Sequence, residues 1–146
     1  MIRNLVLKLS KNARENRARL FRERFTLDSQ TRLLDVGSET GSNIDFVLRG
    51  TGIETSNVFI ADIDAAAIES GRANFGFQPV LLDETGKLPF DDDFFDIVYC
   101  SSVIEHVTVG KDEMWEITDG KEFRAIALSR QKIFAEEIRR VGKSYF

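Results

Sequence analysis

The sequence predicts an α/β fold, a parallel sheet with helices packed on both faces. Three observations predict it. Short apolar runs at Arg32–Val36, Asn57–Ala61, Pro79–Leu82 and Phe95–Cys100 alternate with segments of helical period. The connections between them are short, as in parallel sheets whose strands are joined by helices. The first run closes on a glycine bend, Gly37 to Gly41, and the second closes on an acid, Asp62.

Each element follows from local residues. From Asn4 to about Phe25, Leu5, Val6, Leu9, Ala13, Leu20, Phe21 and Phe25 recur mostly at spacings of three, four and seven, which predicts a helix with one apolar stripe. Arg14, Arg17, Arg22 and Arg24 fall largely off that stripe. Residues 1–30 are therefore expected to form a basic amphipathic helix, and 31–146 the α/β domain. Arg32–Val36 reads as a buried strand. Gly41–Leu48 reads as a short helix ended by Gly50 and Gly52. Asn57–Ala61 is a second buried strand. Asp64 is placed to cap a helix over Ala65–Phe75, where Ala67, Ile68 and Gly71 share a face, and Gly76 stops it. Pro79–Leu82 is a third strand, and Asp83–Asp93 a loop with Pro89 and three successive aspartates. Phe95–Cys100 is a fourth strand, followed by a turn or short helix from Ser101 to Val107. Lys121–Val141 is a long helix, with Phe123, Ile126, Ala127, Ile133, Phe134, Ile138 and Val141 near the helical period and Gly142 ending it. Ser144–Phe146 looks like a fifth strand just starting.

Composition narrows the class. At 146 residues the chain fits one domain, and 42% apolar residues with twelve Phe can fill a core, which disfavours disorder. No run of about 18 apolar residues is present, so no membrane span is expected. The N-terminus lacks the pattern of a signal peptide. Cys100 is the only cysteine, so no internal disulfide and no Cys-based zinc site can form, and a cytoplasmic setting is expected. The net charge of −4 hides an asymmetry: residues 1–26 hold eight Lys/Arg against two Asp/Glu. Such a segment can touch an anionic partner, but a solvated helix face on an acidic body is the preferred expectation, and no nucleic-acid partner is expected.

Three constellations carry chemistry. The first is Leu34-Asp35-Val36-Gly37-Ser38-Glu39-Thr40-Gly41, a strand running through a glycine bend into a helix. Glycines there allow a tight turn or close approach of a ligand, and a purely structural turn is the alternative. The second is Asp62-Ile63-Asp64. An acid at the end of the second strand, 21 to 25 positions after the bend, suits the hydroxyls of a ribose. Asp64 has a structural explanation as a helix cap and Asp62 does not. An Asp-x-Asp metal site is the competing chemistry, and its place after a glycine bend in an α/β unit argues against it. The third is Leu82-Asp83-Glu84 with the run Leu88-Pro89-Phe90-Asp91-Asp92-Asp93-Phe94-Phe95-Asp96-Ile97-Val98. Its three aspartates read as a solvated turn, and no metal site is expected.

Together these motifs, with Glu105-His106-Val107 after the fourth strand, resemble the class I S-adenosylmethionine-dependent methyltransferases of small-molecule type. The likeness runs from about residue 30 to 146. It implies a three-layer Rossmann-like sheet in the order 3-2-1-4-5, with S-adenosylmethionine as cofactor and a small-molecule acceptor. It also implies roles. Gly37, Gly41 and the backbone of Ser38 would lie against the methionine part of the cofactor, with Asp35 beneath the loop near its amino group or the network that supports it. Asp62 would take the ribose hydroxyls, and Asp83, or Glu84 in the alternative register, the adenine amino group. Ile63 and Thr85 would flank the adenine, and Ser101 and Ser102 would face the sulfonium. Methyl transfer needs a base only where the acceptor must lose a proton. His106 is the candidate, with Tyr99 as the other option. Met114 and Trp115 fall where the family shapes its acceptor pocket.

Two departures stand out. Glu39 occupies the position of the family's middle glycine, and the chain ends where the fifth strand begins, so the C-terminal strands are missing and a truncated domain is expected. An open sheet edge would then be covered by a homodimer, by strand exchange or by the N-terminal helix. These departures motivate the alternative of a catalytically inactive binding or assembly module. A nicotinamide-dependent oxidoreductase is a third possibility, but it leaves the Leu-Pro-Phe run and Glu-His-Val unexplained.

Overall fold

The computed structural model describes residues 2–83, 85–101, 103–107 and 119–146, without the side chains of residues 2–10 and of Glu105. Glu84, Ser102, Met114 and Trp115 lie outside the described residues, as do the side chains of Leu5, Val6 and Leu9.

Strand β1 (Leu33–Val36) lies at the centre, with β2 (Val58–Asp62) on one side and β4 (Ile97–Cys100) on the other. Strand β3 (Gln78–Leu81) lies outside β2, so the order is β3-β2-β1-β4 and every pairing is parallel. All four residues of β1 are buried, which is why Leu-Leu-Asp-Val reads as an unbroken run rather than an alternating one. Pro79 falls on β3, an edge strand, where a missing N–H is tolerated. The fifth position is filled as expected. Residues 142–146 run parallel to β4 through bridges at Phe95–Gly142 and Val98–Tyr145. The Val98 N–H donates to Ser144 O at 2.8 Å, and the Phe146 N–H to Val98 O at 3.0 Å.

Two boundaries differ from expectation. Regular pairing in β4 begins at Ile97 rather than Phe95, because the Asp96 and Ile97 N–H groups both converge on Arg32 O and Phe95 pairs outward with the fifth segment. Gly142 is extended, with φ −119°, and does not form a left-handed cap. Its missing Cβ matters instead for space, since a methyl there would collide with the Val98 side chain that the fifth segment packs against.

Helices α1 (Ile2–Arg24), α2 (Ser42–Leu48) and α3 (Ala65–Phe75) pack on one face. There Ala18, Phe21, Ile44, Val47 and Ile68 meet Leu33, Ile60 and Tyr99. Helix α4 (Gly120–Val141) covers the other, where Phe134 and Val141 meet Val36, Phe95 and Val98. Successive crossovers place α2 and α3 on one side while the chain moves outward; it then returns past β1 and changes face, and sheets of this kind bind ligands at the carboxyl ends of the strands beside such a switch point.

Helix α1 docks through Phe21, whose ring lies 5.8 Å from Tyr99 and 5.3 Å from Phe146. A buried ring of this size contributes roughly 1.5–3 kcal/mol. The stripe is narrower than the apolar spacing implied, for Ala13 and Leu20 are exposed. Ala18, Phe21 and Phe25 define the buried face, and Leu20 is about 100° around the helix from Phe21.

The loop before β4 is tied to α4 by Arg140. Its guanidinium donates to Leu88 O at 2.9 Å, Phe90 O at 2.6 Å, Asp92 Oδ1 at 3.1 Å and both oxygens of Glu137 at 2.9 Å. Glu137 in turn accepts the Leu88 N–H at 2.9 Å. The Arg140 side-chain hydrogen bonds first, and the Leu88 N–H with them, hold the Glu137 carboxyl at about 2 against the opposing effect of burial.

Candidate functional site

The carboxyl ends of β1 and β2 meet at one bend. Gly37 donates its N–H to Ala61 O at 2.7 Å, and Gly41 to Ser38 O at 2.8 Å. The Asp62 carboxylate closes the bend: Oδ2 accepts the Glu39 N–H at 2.8 Å and Oδ1 accepts the Asp64 N–H at 3.1 Å. Each carboxylate oxygen has two lone pairs, so both can accept a further donor. Asp64 is separately engaged as the cap of α3, accepting the Ala66 and Ala67 N–H groups at 3.0 Å.

The two glycines of the bend have different causes. Both lie at positive φ, 71° for Gly37 and 73° for Gly41, where a side chain is strained. A Cβ on Gly37 would lie 2.5 Å from Val103 Cγ2, in the segment after β4. A Cβ on Gly41 would lie 3.0 Å from the Phe77 ring and 3.3 Å from Ile60 Cγ2, so its space is taken by the core. Val103 had no signal in the sequence, because only the fold brings it to Gly37. Glu39 also holds a positive φ of 49°, so the backbone keeps a glycine-like conformation with a glutamate in place; its side chain is exposed.

Beneath the bend, polar groups are buried and unpaired. Asp35 is 3% exposed and Ser38 is 9% exposed. Ser38 Oγ has no hydrogen-bond partner, and the Asp35 carboxyl accepts none among the described residues. Burial, and secondly the charge of Asp62, push the Asp35 carboxyl well above its ordinary range. Unpaired buried polar groups cost roughly 1–3 kcal/mol each, so two under one loop mark a place built to receive a partner.

The remaining candidates stand around this bend along the same edge. Strand registers pair Val36 with Ala61 and with Cys100, which sets the half-buried Ser101 one residue beyond β4 beside Gly37. Ile63, 77% exposed, follows β2. Asp83 follows β3 after the Leu82 N–H has bonded to Asp62 O at 2.9 Å. The exposed Asp83 carboxylate accepts the Thr85 hydroxyl at 2.6 Å and the Thr85 N–H at 2.9 Å, which hold it below the ordinary carboxylate range. His106 is exposed in the 3-10 turn Ile104–His106. Tyr99 is not available as a base. It is fully buried on the face under α1, stacked on Phe146 at 5.6 Å, and its hydroxyl has no partner among the described residues. Among the described residues, no group of three or more His, Cys, Asp or Glu side chains is placed to hold a metal ion.

A family model for a methyltransferase domain matches residues 34–119 of this chain, from β1 through the segment that precedes α4. The chain belongs to that methyltransferase family. Solved structures share its fold. A chain in the complex of the Haloferax volcanii Trm112 methyltransferase activator with a candidate methyltransferase is 19% identical at a TM-score of 0.58; the match covers 93% of this chain and 51% of that one. A SAM-dependent methyltransferase from Aquifex aeolicus is 18% identical at 0.52, over 86% and 58% of the two chains. An S-adenosylmethionine-dependent methyltransferase from Clostridium acetobutylicum is 13% identical at 0.52, over 77% and 39%. This methyltransferase-family chain thus spans about half the length of the solved relatives it matches. No curated protein matches it. No helix among its described residues is long and apolar enough to cross a membrane.

Proposed function

We propose that this chain binds S-adenosylmethionine at the carboxyl ends of β1 and β2 and serves methyl transfer to a small-molecule acceptor. One observation carries it: Asp62 is bonded to the backbone of the glycine bend beside two buried polar side chains, Asp35 and Ser38, that have no hydrogen-bond partner among the described residues. A ligand with a diol for Asp62 and a polar, cationic end for Asp35 and Ser38 would satisfy all three, and S-adenosylmethionine has both. When bound it supplies a methyl group on a sulfonium, open to attack by a nucleophile.

The residues then divide the work. Asp62 accepts the ribose hydroxyls through its remaining lone pairs while its backbone-bonded geometry keeps it from swinging away. Gly37, Ser38 and Gly41 shape the wall for the methionine end. Asp83 and Ile63 serve the adenine, and Ser101 lies on the acceptor side. His106 takes a proton where the acceptor carries one. A single cysteine, Cys100, fits a cytoplasmic setting, and a homodimer is the arrangement proposed for the edge along 142–146.

Calorimetric titration tests the proposal. S-adenosylmethionine and S-adenosylhomocysteine should bind, NAD should not compete, and Asp62→Ala should weaken binding at least tenfold, about 1.4 kcal/mol, in a folded sample. A folded chain that binds neither ligand, even as Glu39→Gly, would instead be an inactive binding or assembly module.

A further inference from the structure

Resting on that cofactor site, we propose that Asp35 is its proton switch: the residue stands as a neutral acid in the free protein and gives up its proton when the ammonium end of the cofactor settles above it. Four features place the switch there. Asp35 is the third of the four residues of the central strand, all of them buried, and it is 3% exposed. Its register neighbours are Ile60 on β2 and Tyr99 on β4, both fully buried. Among the described residues no hydrogen-bond donor reaches its carboxyl to hold a negative charge. It lies two residues before the first glycine of the bend, at the ligand end of β1.

Among the described residues no cation stabilises the ionised form. From β2 the facing ionisable group is Asp62, whose negative charge opposes ionisation. From β4 it is the Tyr99 hydroxyl, and from the bend the exposed Glu39. The buried residues that α1, α2 and α3 turn toward this face are apolar: Ala18 and Phe21, then Ile44, Val47 and Leu48, then Ile68. An isolated carboxylate in such surroundings sheds its charge by holding a proton. A ligand cation reverses the balance, because an opposite charge close by favours the carboxylate. The step is balanced: the O–H bond of Asp35 breaks, its proton leaves to solvent, and the carboxylate pairs with the incoming ammonium. Cofactor affinity then rises with pH, by up to about tenfold per pH unit where a full proton is released.

The test is titration calorimetry on the full chain from pH 5 to 8, in phosphate and in Tris, whose different ionisation heats count the protons exchanged. S-adenosylmethionine and S-adenosylhomocysteine, both with an ammonium group, should release protons equally. 5′-Methylthioadenosine, which keeps the nucleoside and sulfur without charge, should release none. Asp35→Asn should still bind, with no release and a flat pH profile. Carbon NMR of labelled aspartates should find one carboxyl in the free protein titrating well above the others and absent from Asp35→Asn. Tight binding without proton exchange overturns the switch and leaves the cofactor site intact, as does release that persists in Asp35→Asn. No heat with any of the three ligands overturns the cofactor site and the switch together. If Asp35→Asn fails to fold, the NMR titration of the unmodified chain decides, and an Asp35 midpoint in the ordinary range refutes the proposal.

Discussion

The bend after β1 and the Arg140 cluster sit near opposite ends of the sheet and treat polar groups in opposite ways. Around Arg140, every donor aimed inward finds an acceptor: two carbonyls, Asp92 and both oxygens of Glu137. At the bend, Asp35 and Ser38 are buried without partners among the described residues, and Glu39 holds a positive φ. The first region spends its polar contacts inside the chain and fastens a loop to a helix. The second keeps them open, as a site that must bind something else does. Both are rich in charge in the sequence, so charge density does not separate these two regions, whereas the hydrogen bonding of Arg140 and of Ser38 does.

Three changes sharpen that contrast, from the largest effect to the smallest. Arg140→Ala should cost about 3 kcal/mol in urea denaturation, since it strands the half-buried Glu137 and frees the 88–92 loop, while cofactor affinity stays within about twofold. Lost cofactor binding at full stability would reverse the assignment of the two regions. Acid should act on the same cluster. Glu137 titrates at about 2, below its ordinary value of 4.5. A depressed carboxyl contributes stability above its unfolded value and loses it as pH falls. Melts between pH 5 and 2 should therefore show a loss of roughly 1–2 kcal/mol, absent in Glu137→Gln. Asp35 has the opposite sign: its raised carboxyl lets stability fall as pH rises above the unfolded range near 4, so the two regions should pull the acid profile in opposite directions. The smallest effect is at the bend itself. Glu39→Gly should raise stability by about 1 kcal/mol by relieving the positive φ, read as a higher urea midpoint at unchanged slope. A loss of stability would mean that the exposed side chain makes contacts the strain conceals.

Much of the fold was legible because it rests on local signals. The apolar runs became strands in the expected order, Asp64 capped its helix, and 142–146 took the fifth place. At the site, the spacing between the bend and Asp62 was legible, and the fold closes it with a 2.8 Å bond. What stayed hidden was pairwise and distant. Val103 explains Gly37, and Phe77 with Ile60 explains Gly41, yet none of them is near its glycine in the chain. Leu20 was misjudged because spacing alone does not say which neighbours a helix will meet. Tyr99, open as a base in the sequence, is sealed between the sheet and α1.

By itself the sequence determined the element types, their order around the sheet and the acids that close β1 and β2, because hydrophobic period and turn chemistry act over a few residues. Only the tertiary structure decided which of those acids and hydroxyls have partners and which stand alone. Hydrogen bonding and desolvation depend on groups brought together from far along the chain, and no local pattern records them.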